Sequence, residues 1–226
     1  MTFWGDNQLN DAKIAIYKKY QKVKNHLGFP VGDIMQMPYG WWKHRYENGE
    51  IFFSEVIGTF AVHGEIYRLY GSMQAEKGFF SYPMTDVIAA LDKEGKFCHF
   101  ENGSIYWHPS SGAHEVHGDI RAKWARLGWE NGFLGYPLTD ETVTSDKAGR
   151  YNHFQGGSIY WTPQTGACSV LMQIRAKWAE LKCESGPLGY PVADTTGTPA
   201  KSLGNDFQNG RVIWTPPSNY VVEYHT

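Results

Sequence analysis

The sequence predicts an α+β repeat fold: four helix-plus-β-hairpin units of about 54 residues, set in a pseudo-fourfold, propeller-like or toroidal ring. Two observations carry this. Prolines at 30, 83, 137 and 191 are spaced 83−30 = 53, 137−83 = 54 and 191−137 = 54, and each is followed at the third position by an aspartate, Asp33, Asp86, Asp140 or Asp194. The prolines close Leu27-Gly28-Phe29-Pro30, Phe80-Ser81-Tyr82-Pro83, Leu134-Gly135-Tyr136-Pro137 and Leu188-Gly189-Tyr190-Pro191. A second motif keeps the same step: Tyr46-Glu47-Asn48-Gly49, Phe100-Glu101-Asn102-Gly103, Phe154-Gln155-Gly156-Gly157 and Phe207-Gln208-Asn209-Gly210. The units fall at roughly 8–63, 64–117, 118–171 and 172–226 with no linker, which predicts one domain of units too small to fold alone. An open, curved array is the alternative to the ring.

Each unit opens on a helix. Asp11 to Tyr20 puts apolar residues on a three-to-four-residue step with lysines facing away. Ile66, Ile120 and Ile174, with Tyr70, Trp124 and Trp178 four residues on, repeat that stripe, and Gly128 is placed to end the third helix. The Pro motif follows. Proline holds the preceding aromatic out of the α region, leaving its ring to fill the gap between helix and sheet. A strand such as Gly149–Phe154, a turn at Asn-Gly or Gly-Gly of the type I′ composition, and the return strand Ser158-Ile159-Tyr160-Trp161 make the hairpin. Ala167–Val170 adds a third, shorter strand.

Composition narrows the function classes. With 21 Lys plus Arg against 23 Asp plus Glu, nothing marks a nucleic-acid-binding patch. No apolar run approaches the roughly 18–20 residues of a membrane span. Cys98, Cys168 and Cys183 sit at unrelated repeat positions without metal-ligand spacing, which predicts free thiols. Together with the absence of signal-peptide features after Met1, this predicts a cytoplasmic protein, or a secreted one if a signal was removed.

Leu27-Gly28-Phe29-Pro30 with its aspartate, the Phe154-to-Trp161 hairpin followed by Thr165-Gly166-Ala167, and Ile120-Arg121-Ala122-Lys123-Trp124 as helix closely resemble the LGFP repeat. The third unit is nearest the pattern. The first departs most, with Tyr46 for Phe and Glu50 for Ser, and the fourth has Pro217-Ser218-Asn219 in place of Thr-Gly-Ala. In its better-known settings the repeat is appended to actinobacterial cell-wall enzymes, including mycolyltransferases and amidases, where it is thought to hold the catalytic domain to wall polysaccharide. The resemblance therefore implies carbohydrate attachment by a ring-like or propeller-like assembly.

Candidate contacts follow from what sugars need: aromatic faces for pyranose C–H groups, and charged or amide groups for hydroxyls. Asp33, Asp86, Asp140 and Asp194 are either turn acceptors or ligand contacts, and Tyr106 and Tyr160 either pack between units or face a ligand. Trp107, Trp161 and Trp214 read as core. Adjacent Trp41 and Trp42 cannot both point inward on one strand face, so at least one is expected to be exposed or in an interface, where a binding or dimer contact is one reading. Arg121 and Arg175 are solvated helix charges or hydrogen-bond partners between units. His99 and His153 share a repeat position and read as structural. His114 and His117 face opposite ways on a strand and do not form a metal site. No nucleophile elbow, phosphate loop or zinc helix is present. The expectation is a non-enzymatic, cofactor-free, lectin-like protein with several shallow sites for glycans or wall polysaccharide, acting as an anchor or a defence lectin. A homodimer is open. A structural or protein-interaction scaffold is the rival reading, and a glycan-active enzyme a more distant one.

Overall fold

The structure is a computed structural model that describes residues 4–225, with side chains from residue 7 onward. The chain divides into two compact units, Met1–Ala113 and His114–Thr226. In the first, helix α1 (Trp4–Leu27) precedes strands β1 (Pro30–Gln36), β2 (Trp41–Tyr46), β3 (Gly49–Ser54) and β4 (Gly58–His63). Helix α2 (Gly64–Ser72) then leads to β5 (Ile88–Ala89), β6 (Lys96–Phe100), β7 (Gly103–His108) and β8 (Gly112–His117), whose residues from His114 on belong to the second unit. In the second, α3 (Gly118–Arg126) precedes β9 (Thr142–Val143), β10 (Arg150–Phe154), β11 (Gly157–Thr162) and β12 (Gly166–Leu171). Helix α4 (Met172–Glu180) leads to β13 (Thr196–Thr198), β14 (Ser202–Phe207), β15 (Gly210–Thr215) and β16 (Asn219–Tyr224). Each repeat is thus a helix and a four-stranded sheet in chain order, one short strand more than the sequence predicts. That extra strand lies just after the Pro motif and spans two residues in β5 and β9, too few to show a period.

Helix α1 is far longer than the expected run from Asp11 to Tyr20. Ala12, Ile16 and Leu27 form its buried stripe, Lys24 and His26 suit the negative C-terminal end, and Gly28 at φ 76° closes it with an N–H bond to Lys24 O. The later helices end as Gly128 suggested. Gly128 is left-handed at φ 95°, and Gln74 and Lys182 hold the same conformation at the matching positions.

The two sequence motifs turn out to be partners. The glycine of Leu-Gly-Phe-Pro adopts φ 76°, 66° and 69° at Gly28, Gly135 and Gly189. This lets the next N–H, of Phe29, Tyr136 or Tyr190, donate to the carboxylate of Glu47 or the amide oxygen of Gln155 or Gln208 at 2.9–3.1 Å. Leu27, Leu134 and Leu188 pack over the hairpin glycines Gly49, Gly157 and Gly210, where an added Cβ would lie 2.1–2.4 Å from a carbonyl oxygen of the neighbouring strand. The expected type I′ turn is therefore incorrect. The loop is Glu101-Asn102, with Phe100 paired to Gly103, and no residue of the four loops has a positive φ. The glycine is required for close strand approach, not for the turn.

Successive repeats are latched by the Pro motif. In the first unit Tyr82 stacks on Trp41 of the preceding sheet with centroids 4.6 Å apart. Asp86 accepts from the Ala61 N–H at 2.8 Å and from Lys19 Nζ at 2.7 Å. In the second unit Tyr190 lies against Gly149, donates to Asp146 Oδ1 at 2.6 Å, and Asp194 accepts from Ser169 N–H and Lys123 Nζ, both at 2.8 Å. The aromatic before proline thus plugs the joint to the preceding repeat. Each joint closes one core: Trp41, Phe52 and Val62 meet Tyr70, Tyr82 and Phe100 in the first unit, and Tyr160 and Val170 meet Trp178, Tyr190 and Phe207 in the second.

Burial disfavours the Asp194 carboxylate, but the bonds from Lys123 and Ser169 outweigh it and hold its pKa below the usual carboxylate range. Asp194→Ala is expected to cost about 1–2 kcal/mol in denaturant unfolding at neutral pH, since the group is partly solvated. With the folded pKa depressed, this contribution is present above the unfolded carboxylate pKa and lost as pH falls through the folded one. The gap between wild type and variant should close on acidification.

Candidate functional site: two equivalent recesses beside a strand tryptophan

Most of the sequence-predicted site residues are structural. Trp41 and Trp42 are both buried, which corrects the expectation that one is exposed. They do face opposite sides of the sheet, but both sides are covered: Trp42 packs with Ala12 and Ile16 of α1, and Trp41 lies under Tyr82. Tyr106 and Tyr160 are buried as well and cannot face a ligand; Tyr160 sits edge-on to Trp178 at 4.7 Å. Asp86 and Asp194 are the latches described above, and Asp140 accepts from Glu115 N–H at 3.1 Å and pairs with His114 at 3.2 Å. Arg175 donates to Ser158 Oγ at 2.9 Å, and Arg121 lies over the Trp129 ring at 5.3 Å. Asp33 and Asp140 are the exposed members of the aspartate set, and Asp33 is taken up below.

Two residues read as core are the open ones. Trp107 and Trp161 are only half-buried, each on the wall of a recess built from the same repeat positions. In the second unit a recess of about 270 Å³ lies between Trp161, Arg150 and Glu141 on the sheet side and His117 and Asp119 at the start of α3, over Ile120. In the first unit Trp107, Lys96 and Val87 face His63 and Glu65 over Ile66, enclosing about 220 Å³. The cation is the directly opposed cross-strand partner of the tryptophan in each: Arg150 opposite Trp161, Lys96 opposite Trp107. Lys96 Nζ sits 5.7 Å from the Trp107 ring centroid, and Trp161 Nε1 donates to Asp119 at 2.8 Å.

The fourth repeat fills the same place, and the first narrows it. Leu203 opposes Trp214, which is buried, and Leu171 replaces the histidine. Tyr220 pairs with Trp214 where Ala167 pairs with Trp161, and its hydroxyl donates to Gln173 O at 3.2 Å. A tyrosine for an alanine supplies the volume the third repeat leaves empty. In the first repeat Trp42 takes the cation's position opposite Phe53, under α1, and a recess of about 120 Å³ remains between them and Asp11.

The two recesses differ in protonation. His117 loses by burial but gains more from Glu115 and Glu141, whose carboxylates accept at 2.8 and 3.1 Å, and its pKa rises to about 9. His63 is stacked on His26 at 4.8 Å; burial, with His26 and Lys96 nearby, depresses it to about 4. At neutral pH one recess holds an imidazolium clamped by two carboxylates, and the other a neutral ring.

Elsewhere, His153 bonds Ser158 and His99 bonds Ser104 at 2.7 Å, as the shared repeat position suggested. Both serines are fully buried, so neither pair can present a nucleophile. Among the described residues no cluster of metal-ligating side chains occurs, the three cysteines are unpaired, and no helix is long and apolar enough to cross a membrane.

The LGFP repeat family model matches residues 27–78, 81–132, 134–186 and 188–224. The chain belongs to the LGFP repeat family. In the family's phase a repeat begins at the leucine of the Pro motif and ends after the following helix, so α1 stands ahead of the first LGFP repeat. No curated protein matches the chain in sequence. Among solved structures it is similar to an inactive virginiamycin B lyase from Staphylococcus aureus with quinupristin, at 13% identity and TM-score 0.17, covering 86% of this chain and 55% of that one. The extracellular domain of a one-component system from B. thetaiotaomicron is similar at 9% identity and TM-score 0.19, over 92% and 33% of the two chains. The chain thus spans about half or a third of their length, and likeness at this level carries no argument about fold or activity.

The clamp on His117 gives a signed expectation. Its folded pKa is raised, so its stabilising contribution is complete below the unfolded value near 6.5 and is lost as pH rises through about 9. Thermal unfolding should show a drop in stability across that window that His117→Leu removes. A wild-type curve flat from neutral pH to beyond 9 would contradict the clamp.

Proposed function

We propose that this LGFP-repeat chain is a non-enzymatic carbohydrate-binding protein, with the recesses at Trp107 and Trp161 as its glycan sites. One observation carries the reading: in two repeats the same strand position presents a half-buried indole bordered by a cation and an acid, while Tyr220 fills that space in the fourth repeat and the first keeps a smaller recess beside Phe53 with Trp42 in the cation's place. The indole suits the C–H face of a pyranose, and Arg150 or Lys96 with Asp119 or Glu65 suits its hydroxyls. Open recesses of 220–270 Å³ match one sugar ring of a longer chain, so the proposed partner is a glycan or cell-wall polysaccharide. Two weak sites on one protein would gain avidity on a polymer. The buried Ser–His pairs favour binding without turnover.

The test is a glycan array and wall-polysaccharide pull-down with Trp107→Ala, Trp161→Ala and the double variant. Each single variant should weaken retention on polymer by about fivefold or more, as stacking contributions of about 1–3 kcal/mol imply, and the double should abolish it with the fold intact by circular dichroism. Retention of no glycan by the wild type, or unchanged retention by the double variant, would move the reading to a protein-interaction scaffold.

A further inference from the structure

The latch at Asp86 and Asp194 has three parts: an aspartate after the proline, an N–H on the preceding sheet's last strand, and a lysine three residues after the isoleucine of the preceding helix; at Asp140, where that helix position is Leu69, His114 takes the lysine's part. Lys19 with Asp86, and Lys123 with Asp194, supply the charge pair, and Ala61 and Ser169 the N–H. The first and fourth repeats each carry one half of this arrangement. On the first repeat Asp33 is exposed, and Phe29 is 73% exposed where Tyr82 and Tyr190 are 4% and 6%. Beside them a groove of about 380 Å³ runs between Ile16 and Tyr20 of α1 and Tyr46 of the sheet. The matching Ile174, Trp178 and Phe207 are covered by Tyr160 and Val170 of a preceding sheet. On the fourth repeat Lys177, which pairs with Glu180 of its own helix and lies over the Tyr220 ring at 5.1 Å, stands three residues after Ile174, and Val222 opposes Val212 just as Ser169 opposes Ile159. Val221 is 53% exposed where Cys168, its counterpart, is 5%.

We propose that these halves meet between molecules: a second copy of this chain docks head to tail, its fourth repeat seated on the first repeat's groove. Asp33 of one copy then accepts from Val222 N–H and Lys177 of the other, and Phe29 covers the last sheet. One substitution at the tail fits this surface to its occupant. Glu223 stands where Val62, Val116 and Val170 are buried, and Lys13, on the wall of the groove, is its counter-charge. A heterologous contact of this kind extends into rings or filaments.

Sedimentation velocity across a wide concentration range tests it. Wild type should form larger species as concentration rises. Asp33→Lys alone and Lys177→Asp alone should each stay monomeric, with folds unchanged by circular dichroism. Mixing the two single variants should restore larger species, because a copy of each carries the intact half the other lacks. A wild type that is monomeric throughout would overturn the proposal, and so would assembly that Asp33→Lys leaves unchanged or single variants that do not complement on mixing.

Discussion

The structure depends on a carboxylate that reaches back. Asp86 and Asp194 each bind one N–H and one lysine of the repeat before them, while the tyrosine four residues before each aspartate packs on that repeat's sheet. A helix with a small sheet buries too little apolar surface to stand alone. Its core is completed only when the next Pro motif arrives, as when Tyr82 joins Trp41 and Phe52. Proline sets this geometry by holding the tyrosine extended, and the aspartate fixes its depth.

That division of labour explains which residues recur and which carry ligand. The recurring residues serve joints and hairpins: in three repeats leucine over glycine and glutamate or glutamine on the N–H after the left-handed glycine, and at Asp86, Asp140 and Asp194 a carboxylate on the preceding strand. The recess is made by residues that do not recur everywhere. Lys96 and Arg150 become Trp42 and Leu203, and Ala167 becomes Tyr220. Function sits where the pattern is broken.

The period, the helix stripes, the hairpins and the family were legible because each rests on local spacing. The structural role of His99 and His153 was legible from their shared position. Long-range cover was not. Trp41 and Trp42 alternate faces as strand residues must, but only α1 on one side and Tyr82 on the other make both buried, and neither partner is near in sequence. Tyr106 and Tyr160 went the same way. Trp107 and Trp161 read as core because they share a strand face with Ile105 and Ile159. Their openness depends on a small residue on the adjacent strand, and the contrast of Ala113 and Ala167 with Tyr220 was the available signal. The turn type was misread because Asn-Gly serves a hairpin in two ways, and here the glycine belongs to the strand.

Indole N–H spectra recorded while the binding glycan is titrated in test the separation of scaffold from site most directly. The signals of Trp107 and Trp161 should move, and those of the buried Trp41, Trp124 and Trp178 should stay. Movement confined to the buried indoles, or to Trp214 in its filled recess, would contradict it.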